Sequence, residues 1–103
     1  MDLSIKHAHA GEKNTTLEWH LDKEYHDKIS PYVDHLVALH YHYRTDNKQL
    51  KVTAECAFKA HHKSEHIEVS SYDQSDSSAI SLAKKISKLV VDQVRSYTDK
   101  RNN

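Results

Sequence analysis

Glycine, proline, cysteine, tryptophan and phenylalanine each occur once in this 103-residue chain. A lone glycine, Gly11, leaves no material for a glycine-rich phosphate loop or a nucleophile elbow, both of which need glycines at fixed offsets. A lone cysteine, Cys56, permits neither an intramolecular disulfide nor a thiolate metal site, and it falls in an alternating apolar run that reads as core. Such usage suits a reducing compartment. The scarcity of glycine and proline, with 37% hydrophobic and 29% charged residues, sets aside collagen-like, linker-like and disordered classes. No run approaches the roughly eighteen apolar residues of a membrane span, and Met1 to His7 show no cationic leader before an apolar stretch. A soluble, cytoplasmic protein with no membrane partner is expected, folded as a single domain over 1–103.

An excess of one charge is also missing. Fifteen Lys and Arg balance fifteen Asp and Glu for a formal net charge of zero, so composition alone points to neither nucleic acid nor membrane. The distribution is uneven, because residues 79–103 hold six basic and two acidic side chains. Ten histidines add a charge that depends on pH.

Hydrophobic spacing supplies the elements. Leu3 and Ile5 alternate with Ser4 and Lys6, which predicts a first strand running to His7–His9 and broken by Gly11. Thr15 or Thr16 is the expected cap of a helix, with Glu18 completing a capping box. Its apolar stripe is Leu17, Leu21, Tyr25, Ile29, Tyr32, Val33 and Leu36, and Pro31 should kink it or end it near Lys28 to Ser30. Val37, Leu39, Tyr41 and Tyr43 predict a second strand. Thr45 to Lys48 makes a turn, and Leu50 to Phe58 alternate as a third strand in a hairpin with the second. His61 to Glu65 reads as a polar turn, followed by a shorter strand through Ile67 and Val69 to about Tyr72. After capping residues at 73–78, the series Ala79, Leu82, Ala83, Ile86, Val90, Val94, Tyr97 predicts a long amphipathic helix. The order β-α-β-β-β-α implies an α+β fold, a four-stranded, mainly antiparallel sheet with two helices packed on one face.

On the last helix Lys84, Lys88 and Arg95 share the face opposite the apolar stripe, with Lys85 beside them. Several cations on one face can neutralise RNA phosphates without reading sequence. Trp19, Tyr25, Tyr32, Tyr41 and Tyr43 could stack on bases if exposed, but most fall on apolar stripes and read as core. His40 and His42 project from one strand face, where Glu55, His66 or Glu68 could join them. His7-x-His9 and His61-His62-x-x-x-His66 are further candidates. None has an established ligand spacing, so scattered surface imidazoles are preferred, no metal or other cofactor is expected, and a histidine-rich metal-binding or protein-interaction module is the alternative. No catalytic constellation stands out, and neither an enzyme nor a small-molecule substrate is expected.

Three stretches carry a resemblance. Lys28-Ile29-x-x-Tyr32-Val33-Asp34-x-Leu36, His66-Ile67-Glu68-Val69-Ser70 and the apolar and basic pattern from Ala79 to Lys88, taken in order, resemble the ribosome hibernation promoting factor and ribosome-associated inhibitor family, also called sigma-54 modulation proteins. The resemblance implies a fold similar to double-stranded RNA-binding domains, monomeric action without a cofactor, and binding to the small ribosomal subunit and its rRNA that blocks translation in stationary or stressed cells. Lys28, Lys85 and Lys88 match positions at which the family contacts rRNA, and the basic face adds Lys23, Lys84 and Arg95. This chain departs from the family in its zero net charge, in Asp76-Ser77-Ser78 at the start of the second helix, and in Pro31. It is expected to lack the dimerisation domain of long members.

Overall fold

A computed structural model describes residues 4–33, 35–46, 49–74 and 79–98. Asn14, rather than a threonine, caps the first helix: its side-chain oxygen accepts from the Leu17 N–H at 2.9 Å, taking up a backbone donor that the first turn leaves unpaired. Strand β1 (Ile5–Ala10) precedes it, and helix α1 runs Thr15–Glu24. The helical path then widens into a π turn at Tyr25–Ile29 and tightens into a 3-10 turn at Ser30–Tyr32.

Two features of the sequence account for that change. The buried residues Leu17, Leu21, Tyr25 and Ile29 are spaced by four, and at about 100° per residue such a series drifts off an α-helical face by about 40° at each step. A wider turn rotates less per residue and returns Ile29 to the core. Pro31 adds the second cause, since it offers no N–H to the turn behind it. The Ser30 N–H bonds to Tyr25 O, and the carbonyl of His26 accepts instead from Ser30 Oγ at 2.8 Å. The expected interruption near Pro31 is thus present, but regular α geometry already stops at Glu24. Tyr32 leaves the predicted stripe and is exposed.

Strands β2 (His35–Asp46), β3 (Gln49–Ala60) and β4 (Lys63–Gln74) and helix α2 (Ala79–Thr98) complete the order. The sheet runs β1-β2-β3-β4, with β1 parallel to β2 and the other pairs antiparallel. The parallel pair needs a crossover, which α1 and its two short turns provide. This is the expected α+β architecture with a mixed sheet. β4 is longer than expected because the preceding turn contains only His61 and His62, both at positive φ (52° and 69°). That pattern suits a tight two-residue hairpin. His61 Nε2 also lies 3.0 Å from the carbonyl of Thr98 at the end of α2.

One sheet face is apolar. Leu39 and Tyr41 of β2, Val52, Ala54, Cys56 and Phe58 of β3, and Ile67 of β4 are buried beneath Leu17 and Leu21 of α1 and Leu82, Ile86, Val90 and Val94 of α2. At the start of β2 a bulge between Leu36 and Ala38 reverses the alternation, because one extra residue turns every earlier side chain to the opposite face. Leu36 therefore packs against the core, and Val37, expected inside, is exposed. Burial raises the Cys56 thiol to about 11, consistent with its reading as core. Tyr43 is buried too. It accepts from the Asn14 N–H at 2.8 Å and donates to Glu18, and desolvation followed by that second bond pushes the phenol up to about 12.

The other sheet face carries Lys6, His40, His42, Thr53, Glu55 and Ser70, and among the described residues no helix packs on it. The expected first-strand residue Leu3, the 47–48 turn, the 75–78 cap and Asp34 lie outside the described residues.

Candidate nucleic-acid interface

The two helices lie side by side, and the groove between their outer surfaces collects basic residues. Positions 84, 88 and 95 follow one another along one side of α2, since steps of four and seven return to nearly the same azimuth. From the facing side, the π turn presents Lys28. A cavity of about 390 Å³ is lined by Lys28, Lys84 and Lys88, together with Tyr32, Glu24 and Ser87. Glu24 is the carboxylate of this lining. At the C-terminal end of the same side, the Arg95 guanidinium sits 5.3 Å from the centre of the Tyr32 ring, a cation–π contact that holds a planar donor against an exposed aromatic.

The six cations singled out from sequence thus separate into two groups. Lys28, Lys84, Lys88 and Arg95 share the groove side. Lys88 also approaches Asp92 at 3.9 Å, an exposed i,i+4 pair of small energetic consequence. Lys23 and Lys85 are held elsewhere. The Lys23 ammonium bonds Asp27 at 2.8 Å, which raises the lysine and lowers the carboxyl from their ordinary values. Lys85, about 100° around the helix from Lys84, turns toward β4 and bonds Asp73 at 2.8 Å.

Sequence reasoning did not single out Ser87, and it named Tyr32 as able to stack on bases if exposed but placed it on the buried stripe. Ser87 is buried, and among the described residues its hydroxyl has no hydrogen-bond partner, so a donor lies at the base of the groove. Its signal was a small polar residue between two groove lysines. Tyr32 pointed the wrong way because the helical stripe was extended past Pro31. Of the other aromatics, Tyr25, Tyr41 and Tyr43 are core, whereas Trp19 and Tyr72 are exposed.

The histidines divide as well. His7 stacks on Tyr41 and bonds Asp22 at 2.8 Å, tying β1 to α1. His9 stacks on Tyr43 and bonds the Gly11 carbonyl at 2.9 Å. His61 caps α2, as described above. His40 and His42 instead meet Glu55 on the bare sheet face, whereas His66 pairs with Ala57 and stands apart from that group.

The molecule is thus a two-layer α+β fold with a cationic groove between its helices and, among the described residues, a bare sheet face behind them. A solved structure described as a ribosomal subunit interface protein from Coxiella burnetii superposes with a TM-score of 0.64, covering 92% of this chain and 97% of that one at 14% identity. No protein-family model and no curated protein sequence matches the chain. Among the described residues no helix is long and apolar enough to cross a membrane.

Proposed function

We propose that the protein is a non-enzymatic, cytoplasmic ribosome-associated factor of the hibernation promoting and ribosome-associated inhibitor type. In this reading it binds the small subunit as a monomer, through rRNA backbone contacts, and inhibits translation in stationary phase or under stress. The carrying observation is the likeness along nearly the whole length of both chains to a protein described as a ribosomal subunit interface protein. The groove supports it by supplying a mechanism. Three lysines around one cavity can engage successive phosphates, releasing counterions as they do so, while the exposed Tyr32, with Arg95 over its ring, offers an aromatic surface to a base or ribose.

Zero net charge is compatible with this reading because the groove, not the whole surface, meets the nucleic acid. Lys28, Lys84, Lys88 and Arg95 are assigned the direct contacts, and Lys23 and Lys85 a peripheral role limited by their carboxylate partners. Sedimentation of stationary-phase extract through a sucrose gradient tests the proposal. The protein is expected to travel with small subunits or intact ribosomes at low salt. Its retention at the top of the gradient while ribosomes sediment intact would remove the proposal.

A further inference from the structure

The bare sheet face carries a group outside the lysine groove to which the proposed rRNA contacts are assigned. His40 and His42 occupy alternate positions of β2 and so project to the same side. Glu55 is the direct cross-strand partner of His40. One potential ligand atom from each of the three lies within 4.8 Å of the others, and the two imidazole rings stand 6.2 Å apart at 68°. His40 and Glu55 are half-buried and His42 is exposed, which leaves the group open on one side. Among the described residues no hydrogen bond or ion pair engages the side chain of any of the three.

We propose that His40, His42 and Glu55 bind one borderline transition-metal dication of the Zn²⁺, Ni²⁺ or Cu²⁺ class. The donor set of two imidazoles and a carboxylate suits these ions. Tetrahedral ligands at bond lengths of about 2.0–2.1 Å lie about 3.4 Å from one another. The observed spread of up to 4.8 Å therefore has to contract by about 1.4 Å on binding, and the exposed His42 is the member of the group with most freedom to move. An independent feature favours a cation here. Glu55 stands directly opposite Glu68 of β4, and like charges in that position destabilise a sheet. On the other side, Lys6 of β1 faces His40, so the carboxylate side of the group is the one that lacks a counter-charge among its register neighbours. Three protein ligands leave a fourth position for water or an incoming ligand. The site lies on the sheet face away from the lysine groove, so the two can be occupied independently.

Calorimetric titration of the full chain with Zn²⁺, Ni²⁺ and Cu²⁺, together with the visible spectrum of the Co²⁺ complex, tests the assignment. One equivalent is expected to bind, with affinity falling about tenfold or more in both His42→Ala and Glu55→Gln and the Co²⁺ absorption lost. His62→Ala and His66→Ala should retain both signals. His42 is exposed and Glu55→Gln is nearly isosteric, so circular dichroism should report an unchanged fold. Absence of binding, weak binding of several equivalents, or one equivalent that survives both substitutions would overturn the proposal.

Discussion

If the groove lysines meet phosphates, the salt dependence of ribosome binding counts them. Each phosphate contact contributes about 0.7–0.9 to the slope of log affinity against log salt. The double substitution Lys84→Ala and Lys88→Ala removes two groove cations, and both side chains are exposed, so the fold should persist. The slope should then flatten by about 1.4–1.8, and between 50 and 200 mM salt the native protein should lose about tenfold more affinity than the variant. Lys85→Ala is the internal control. Its ammonium is already 2.8 Å from Asp73, so the pair carries little net charge toward RNA and the slope should move by less than about 0.3. Fluorescence titration of labelled protein against purified small subunits at four salt concentrations reads all three slopes. Equal slopes for the native and doubly substituted proteins, or a change for Lys85→Ala as large as for the double substitution, would refute the groove as the contact surface.

Three further predictions concern the fold. His62→Gly should stabilise the protein by about 0.5–1 kcal/mol, because a side chain at positive φ is strained where glycine is not; a thermal midpoint that stays put or falls contradicts the hairpin geometry. Asn14→Ala should cost about 1 kcal/mol through loss of the cap, with Asn14→Asp retaining most of it, as urea denaturation would report. Stability should also decline in alkali. The folded state holds the Cys56 and Tyr43 protons more tightly than the unfolded chain, so this contribution is complete below the unfolded values near 9 and 10 and is lost as pH rises toward about 11 and 12. Urea midpoints that stay flat from pH 8 to 11 would contradict the burial of both groups.

The elements legible in the sequence are those whose apolar period matches a single burial pattern. Leu50 to Phe58 alternate because β3 is a central strand with one face under the helices, and α2 keeps its stripe along its whole length. Misreadings occurred where local geometry changes the period. The bulge at Leu36–Ala38 reverses strand parity, and neither residue is a glycine that would mark it. The π turn absorbs a spacing of four that looks like ordinary helix. His61-His62 is a tight turn without the usual asparagine or glycine, so it read as a longer loop. At the groove, helical spacing was enough to place Lys84, Lys88 and Arg95 together, whereas the i,i+4 pairing of Lys23 with Asp27 went unread. The capture of Lys85 by Asp73 joins two elements, and the meeting of His40 with Glu55 depends on strand register. Neither follows from spacing along the chain.

The widened turn at Tyr25–Ile29 also couples two properties that a regular helix would keep apart. The same surplus of backbone that returns Ile29 to the interior sets the direction in which its neighbour Lys28 leaves the surface. Shortening this segment by one residue would swing both at once, so a deletion there could not restore helical regularity without also disarming one wall of the cleft.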